Sequence, residues 1–462
     1  MPVAPKKELS LFDSTSIIVG IIIGAGIYQM APAIAGGARC WWGVFAIWIA
    51  GGLLSLCGAL GYAELATAYP KEGGDYVYLN RAYGRWAGYL FGWIQLTIVR
   101  PGDIAVMAFA FATYARTIYD VLPGLAESYN MRIYAAAATI VLTTINILGV
   151  KEGKWTQNIL TTVKALGLLA IVAAALLGPK MAVPTIKPVL SWVEGSGVEK
   201  VDPIPVSLAL IFVLFVYGGW NEMAYVAAEV RDPKRNISRA LVLGTAAVMV
   251  LYLLVNGAFL HTLGYEGMVA SKVVATDSIS TVFPKIGGKL ISALVCISAL
   301  GAANGLIFTG ARISYAMGTE HRLFRALGNW HPRTGTPLWA LLVQGLVALT
   351  FIVVFGSFVD TLLYAAVAVY SFYLATNLAV IFLRFKEPKT ERPFKVTGYP
   401  FTTLIFCVAC AMLIHSSISY ALANKRPYLV ILACTIVVGI LLYLLTDRRL
   451  PRQDQTTANE IV

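Results

Sequence analysis

Charge is scarce in this sequence: Asp, Glu, Lys and Arg together make up 13% of its 462 residues, and only 4 residues are histidine. Soluble chains carry roughly twice that charge, so a soluble globular enzyme is excluded at the outset. No HExxH pair, Walker loop or nucleophile elbow occurs, which removes metalloprotease, nucleotide-hydrolysing and esterase chemistry and leaves a protein that is not an enzyme. The six cysteines (Cys40, Cys57, Cys296, Cys407, Cys410, Cys434) are scattered, mostly inside apolar runs, without metal-ligand spacing or an extracellular pairing. Cys407 and Cys410 form a CxxC in name only and read as two small residues packed on an apolar helix. No cofactor or metal is implied. The 36 Lys and Arg are not gathered into a basic domain, so the net charge of +12 does not point to nucleic acid.

What is abundant is apolar. Hydrophobic residues reach 58%, glycines number 41, and the mean hydropathy is +0.72. The apolar residues fall in runs near the ~20 residues needed to cross hydrocarbon. Twelve spans begin near residues 12, 41, 86, 131, 155, 205, 239, 288, 338, 360, 401 and 427, which predicts an all-α polytopic membrane protein with 12 transmembrane helices. The first span follows Lys6 and Lys7, but it is long and eleven more follow, so it reads as an uncleaved helix rather than a signal peptide. With loops assigned alternately to two sides, 22 of the 36 basic residues share the side of the N-terminus and 11 lie opposite. By the positive-inside rule this is a multi-pass protein of the cell (cytoplasmic) membrane with both termini cytoplasmic, its positive charge facing anionic inner-leaflet lipid. Three basic residues remain at membrane depth: Arg100, Lys164 and Arg312.

Two spans carry interruptions. The first contains Gly20, Gly24 and Gly26 in GIIIGAGIY, and the sixth contains Tyr217-Gly218-Gly219-Trp220-Asn221-Glu222 between apolar halves. Glycine weakens a helix interior by about 1 kcal/mol, and unwound backbone at membrane depth survives only against protein or a water-filled cavity. Glycines packing helices closely, as Gly20-x-x-x-Gly24 would, are the plainer reading, but it leaves the adjoining Asn221 and Glu222 unexplained. Breaks in spans one and six match a 5+5 inverted repeat with two helices outside it. The units are then residues 12–178 and 205–384, joined by an extracellular loop 179–204 and followed by a cytoplasmic loop 385–400 and a helix pair 401–446. Cytoplasmic ends 1–11 and 447–462 complete the chain. The half-helix after Gly26 offers amides to a carboxylate, while unwound carbonyls near Ile22 and Phe215 accept from an ammonium. That constellation fits a zwitterionic amino acid substrate.

Intramembrane charges add detail. Lys164 lies too deep in the fifth span to snorkel; it either occupies the place of a coupling cation against unwound carbonyls or acts as a static tether. Asp103 and Glu222 are possible proton or cation sites. Asp103 also stands three residues after Arg100, where it could simply pair with it. His261 and His415 read as packed or interfacial rather than as ligands.

In their order and spacing, several pieces together resemble the amino acid–polyamine–organocation (APC) superfamily, and within it the L-type amino acid transporters. They are GIIIGAGIY, Tyr62-Ala63-Glu64-Leu65 with Pro70-Lys71-Glu72-Gly73-Gly74-Asp75-Tyr76, Arg100-Pro101, YGGWNE, Asp232-Pro233-Lys234-Arg235-Asn236, Asn304-Gly305 with Arg312, His331-Pro332-Arg333 and Glu391-Arg392-Pro393-Phe394. The resemblance implies a 5+5 inverted-repeat fold with broken helices 1 and 6, alternating access and a midplane substrate site. It implies substrate contacts from Ile22, Ile23, Gly24, Ala25, Gly26, Phe215, Gly218, Gly219, Asn221 and Glu222. Among these the Ala25 and Gly26 amides would hold the carboxylate, and the carbonyls of Ile22, Phe215 and Gly218 the amine. Phe215 would be the aromatic gate, Asn221 would link helix six to the site, and Lys164 would replace the sodium of sodium-coupled relatives. Eukaryotic members carry a cysteine between helices three and four for a heavy chain; residues 113–132 have none, so no disulfide-linked heavy chain is expected. Gly218 stands where relatives favouring dibasic substrates can have an acid, which favours neutral amino acids. Glu222 stands where an aromatic is common and Asp103 where a small polar residue is common. The reading is therefore a sodium-independent transporter of neutral L-amino acids, by exchange or proton coupling, with a cationic amino acid or polyamine transporter as the alternative. A sensor without flux is the rival from another class, and the short termini offer it no signalling domain.

Overall fold

The computed structural model describes residues 7–120, 127–177, 204–271, 273–283, 286–354, 358–424 and 426–446. All but the last residue of the expected extracellular loop 179–204, and the tail 447–462, lie outside them. The described residues form helices and contain no strand, only isolated bridges such as Leu9 to Val230.

Among the described residues ten helices are long and apolar enough to cross a membrane, and two shorter apolar helices, α10 (Val206–Val216) and α14 (Leu338–Val354), join them. The chain enters through α1 (Leu11–Ile22). Ser10 Oγ accepts from the Asp13 amide while Asp13 accepts from the Ser10 amide, a reciprocal cap that satisfies two otherwise unpaired donors. After α1 come α2 (Gly26–Gln29), α3 (Ala31–Ala38), α4 (Trp41–Ala68), α5 (Asp75–Tyr83) and α6 (Arg85–Ile94). A π-turn, Gln95–Val99, joins α6 to α7 (Arg100–Ile118). Only Arg100 separates it from Pro101, whose missing amide cannot serve the preceding turn, and the Arg100 amide reaches back to Gln95. The chain continues through α8 (Glu127–Leu148), α9 (Val150–Leu177), α10, a 3-10 segment Glu222–Glu229, α11 (Pro233–Ala270), α12 (Val274–Ser280), α13 (Gly287–Glu320), α14, α15 (Phe358–Lys386), α16 (Phe401–Asn424) and α17 (Arg426–Thr446). The expected starts agree within a few residues except at α9 and α11, which begin earlier, at Val150 and Pro233; Pro233 takes the first turn of its helix, where it gives up no hydrogen bond.

The helices sort by burial. In the most apolar stretch of Leu11–Gln29 and of Arg85–Ile118, 78% of residues are buried inside the protein, against 11% in Leu429–Thr446. The first and third spans are therefore central, and the last turns its leucines and isoleucines outward, as a lipid-facing helix does. Exposed Trp41, Trp42, Trp86, Trp155 and Trp339 lie near helix ends, where indole rings favour the headgroup level. In the interior α4 packs along α11, α7 along α13, and α1 against α9, α11 and α13. His261 and His415 lie on exposed helix faces.

Candidate substrate site

Helix one breaks where the glycines allow. The helix α1 ends at Ile22, the backbone bends through Ile23, Gly24 and Ala25, and α2 resumes at Gly26. The three glycines divide their work. Gly20 is still helical and is a packing glycine, since a Cβ there would lie 2.1 Å from Gln157 Nε2. Gly24 faces Met107 Sδ, and Gly26 faces Val216, which brings the two breaks together.

Within the break the Gly24 amide donates to Ile22 O at 2.7 Å; the other donors to its carbonyls come from other helices. Lys164, fully buried on α9, donates from Nζ to the carbonyl of Gly20, to that of Ile23 at 2.8 Å and to that of Ser298 at 3.4 Å. Ser298 Oγ donates to Ile23 O at 2.9 Å and reaches Gly24 O at 3.1 Å. The Tyr252 hydroxyl donates to Ile22 O at 2.7 Å. The amides of Ala25, Gly26 and Ile27 make no hydrogen bond to a described residue, so donors remain at the start of α2.

Helix six breaks differently. From Tyr217 to Asn221 the chain turns on its own backbone: the Gly218 amide donates to Phe215 O at 2.8 Å and the Glu222 amide to Gly219 O at 3.2 Å. Gly219 takes φ +106°, and a Cβ there would meet Ile21 Cγ2 at 2.5 Å, so both conformation and space demand glycine. Beyond the turn, Glu222 is buried and accepts from Arg100 Nη2 at 2.8 Å and from Thr309 Oγ1 at 2.5 Å. Arg100 also donates to Gln95 Oε1 at 3.1 Å and lies over the Tyr225 ring. The alternative of an Arg100 to Asp103 pair is not realised: Arg100 is drawn to Glu222, and Asp103 makes no hydrogen bond to a described residue.

Between the breaks lies a cavity of about 110 Å³. Of the residues expected at the site, Ile22, Gly24, Gly26, Phe215, Gly218, Gly219, Asn221, Glu222 and Asp103 line it. Ile23 and Ala25 do not, and Lys164 stands behind the break on the carbonyls it satisfies. Sequence reasoning missed Gln95, Tyr252, Ser298, Thr309 and Tyr373. Their only signal was a polar group within an apolar run, and the facing side of each helix was not legible. It also left Asp75, inside a quoted motif, without a role.

The six cysteines are free, with Cys407 and Cys410 both buried. Among the described residues no group of three or more His, Cys, Asp or Glu is placed to hold a metal ion.

Comparison with known proteins matches residues 9–441 to the amino acid permease family. The chain is 31% identical over 443 residues to the b(0,+)-type amino acid transporter 1 of Mus musculus, covering 95% of this chain and 88% of that one. It is 30% identical over 407 residues to the serine/threonine exchanger SteT of Bacillus subtilis (strain 168), covering 87% and 88%. To the large neutral amino acids transporter small subunit 2 of Mus musculus it is 32% identical over 418 residues, covering 87% and 75%. The relatives are transporters, not enzymes. With a family match over almost its whole length and apolar helices around a broken-helix cavity, the chain belongs to the amino acid permease family, as an L-type-like member of the APC superfamily built for multi-pass transport of amino acids.

Proposed function

We propose that the protein is a sodium-independent secondary transporter of neutral L-amino acids, exchanging them or coupling them to protons by alternating access. The observation that carries this is the Lys164 ammonium on the carbonyls of Gly20, Ile23 and Ser298: a fixed cation already stands where unwound backbone would otherwise recruit a mobile one. In this reading the free amides of Ala25 and Gly26 take the substrate carboxylate, carbonyls of the two breaks take its amine, and Phe215 gates the cavity. Ile22 O already accepts from the Tyr252 hydroxyl and from the Gly24 amide, so both its lone pairs are taken and it can serve the amine only by giving up one of these donors.

Neutral selectivity follows from charge accounting. Glu222 is committed to Arg100 and Thr309, and Gly218 brings no side chain to the wall. Relatives named as a serine/threonine exchanger and a large neutral amino acids transporter agree. The alternative, a cationic amino acid or polyamine, is favoured by Asp103, whose carboxylate lines the cavity without a hydrogen bond to a described residue. A carboxylate at membrane depth demands a proton or a cation.

The 5+5 repeat is part of the same proposal, with units 12–178 and 205–384. Its support is that α4 pairs with α11 and α7 with α13, five spans apart, and that short α5 recurs in its place as α12. Helices one, two, six and seven would rock as a bundle against the rest, with both termini cytoplasmic. The lack of cysteine in residues 113–132 supports operation without a disulfide-linked heavy chain.

Counterflow in sodium-free proteoliposomes loaded with Ala, Leu, Arg or putrescine tests the reading. Accelerated Ala or Leu uptake is expected, unchanged by added sodium. Uptake of Arg or putrescine alone, abolished by Asp103→Asn, would replace the neutral reading with the cationic one.

A further inference from the structure

The turn before α5 delivers one more acid to the cavity. Gly73 and Gly74 take φ +95° and +46°, and a Cβ on Gly74 would lie 2.7 Å from the Tyr225 ring. The Gly73 amide donates to Tyr225 O at 3.1 Å. This close docking, open only to glycine, seats Asp75 against the segment that follows the helix-six break.

Asp75 is fully buried and lines the cavity. Its carboxylate accepts from three hydroxyls on three elements: Tyr62 of α4, Thr376 of α15 and, at 2.7 Å, Tyr225. The titratable groups facing it are Tyr62 from α4, Tyr78 from its own helix, Glu222 and Tyr225 from the segment after the break, and Tyr373 from α15. Among the described residues no Lys, Arg or His forms an ion pair with it. Burial, with the Glu222 charge adding to it, pushes the carboxyl up to about 6 against the three hydroxyl donors.

The hydrogen bonds around Asp75 lead to the substrate site, and they share one polarity. Tyr373 Oη donates to Asn221 Oδ1 at 3.1 Å, Asn221 Nδ2 donates to Tyr225 Oη at 2.8 Å, and Tyr225 Oη donates to Asp75 Oδ2. Each donor points toward Asp75, so the chain needs an acceptor-only group at its end. A proton on Oδ2 would make Asp75 the donor to Tyr225 Oη, and the Tyr225 hydrogen would have to turn away. Asn221 Nδ2, at the break itself, would then share Tyr225 Oη with a second donor and lose the hydroxyl orientation that now holds it.

We propose that Asp75 is a positioning residue for transport: as a carboxylate it holds Asn221 at the helix-six break through Tyr225, and a proton from the aqueous side releases that hold and weakens substrate binding. The inference rests on the transport reading, and the experiment separates the two. Counterflow of alanine, zwitterionic throughout, is measured from pH 5 to 8 with the same pH on both faces of the proteoliposome. The apparent KM should rise about tenfold between pH 7 and pH 5, as one linked proton requires, with a smaller change in maximal rate. Asp75→Asn should flatten this profile. Thr376→Val removes one donor to the carboxylate without touching the Tyr225 link, so it should move the midpoint to higher pH and leave the KM at pH 8 unchanged. If Asp75→Asn does not fold, Thr376→Val decides alone. A flat profile in the unaltered protein, an unmoved midpoint in Thr376→Val, or loss of the profile in Asp103→Asn instead of Asp75→Asn would each overturn the proposal. Absence of counterflow at every pH would sink the transport reading and this inference with it.

Discussion

The two helix breaks solve one problem by opposite means. Break one closes a single turn on itself, the Gly24 amide on Ile22 O, and otherwise draws its donors from three side chains of other helices: Lys164, Ser298 and Tyr252. Break six satisfies itself with turn hydrogen bonds and the left-handed Gly219, then pins its far side through Glu222 to Arg100 and Thr309. The first therefore depends on partners that must be present, the second on a backbone that only needs room. In an apolar medium an unsatisfied carbonyl has no water to turn to, so break one should be far more sensitive to side-chain changes than break six.

The largest effect is expected at Lys164. Hydrogen bonds to a charged group contribute about 1.5–3 kcal/mol each, and this ammonium makes several at once. Lys164→Ala should lower counterflow at least a hundredfold in sodium-free buffer, with the protein still inserted and monodisperse. Partial recovery on adding sodium would sharpen the comparison, because it would make the ammonium a stand-in for a cation. Full activity without lysine or sodium would break it.

Much of this asymmetry was legible in the sequence, and the unread part has a physical cause. Gly24, Gly26, Gly218 and Gly219 stand out because glycine at membrane depth has few other uses, and Lys164 because a charge there must be answered. The partner of Arg100 was not legible: Asp103, three residues on, is the local choice, while Glu222 comes from another span 122 residues away. Spacing along one helix identifies neighbours on that helix, whereas the fold decides between neighbours. For the same reason Ser298 and Tyr252 passed unremarked, since a hydroxyl in an apolar run carries no sign of which carbonyl it will meet. Gly20 was read with the break because its spacing to Gly24 is also that of a packing motif; only the close approach of Gln157 separates the two roles.

The next effect belongs to break six. Glu222→Gln removes the counter-charge of a buried guanidinium, which destabilises a protein by about 3–5 kcal/mol when one partner is lost alone. The thermal midpoint in detergent should therefore fall by several degrees. The double variant Arg100→Gln, Glu222→Gln, which leaves no unpaired charge, should recover most of that loss. A double variant as unstable as the sum of the single ones would mean that the pair does not act as a unit, and that break six is not pinned as the geometry has it.

The smallest effect should come from Ser298, and it separates dependence on donors from dependence on charge. Ser298→Ala deletes one neutral donor to Ile23 O, a carbonyl that Lys164 also serves. The net contribution of such a bond is about 1 kcal/mol, which corresponds to about fivefold in apparent KM. Because the loosened carbonyls adjoin the substrate site, the change should fall on KM for every neutral amino acid alike, with the maximal rate nearly kept. An effect as large as that of Lys164→Ala would mean that break one counts donors rather than charge, and the lysine would then be one hydrogen-bond donor among three. A loss confined to one substrate would place Ser298 on the substrate side chain instead, and the contrast between an externally held and a self-held break would lose one of its three supports.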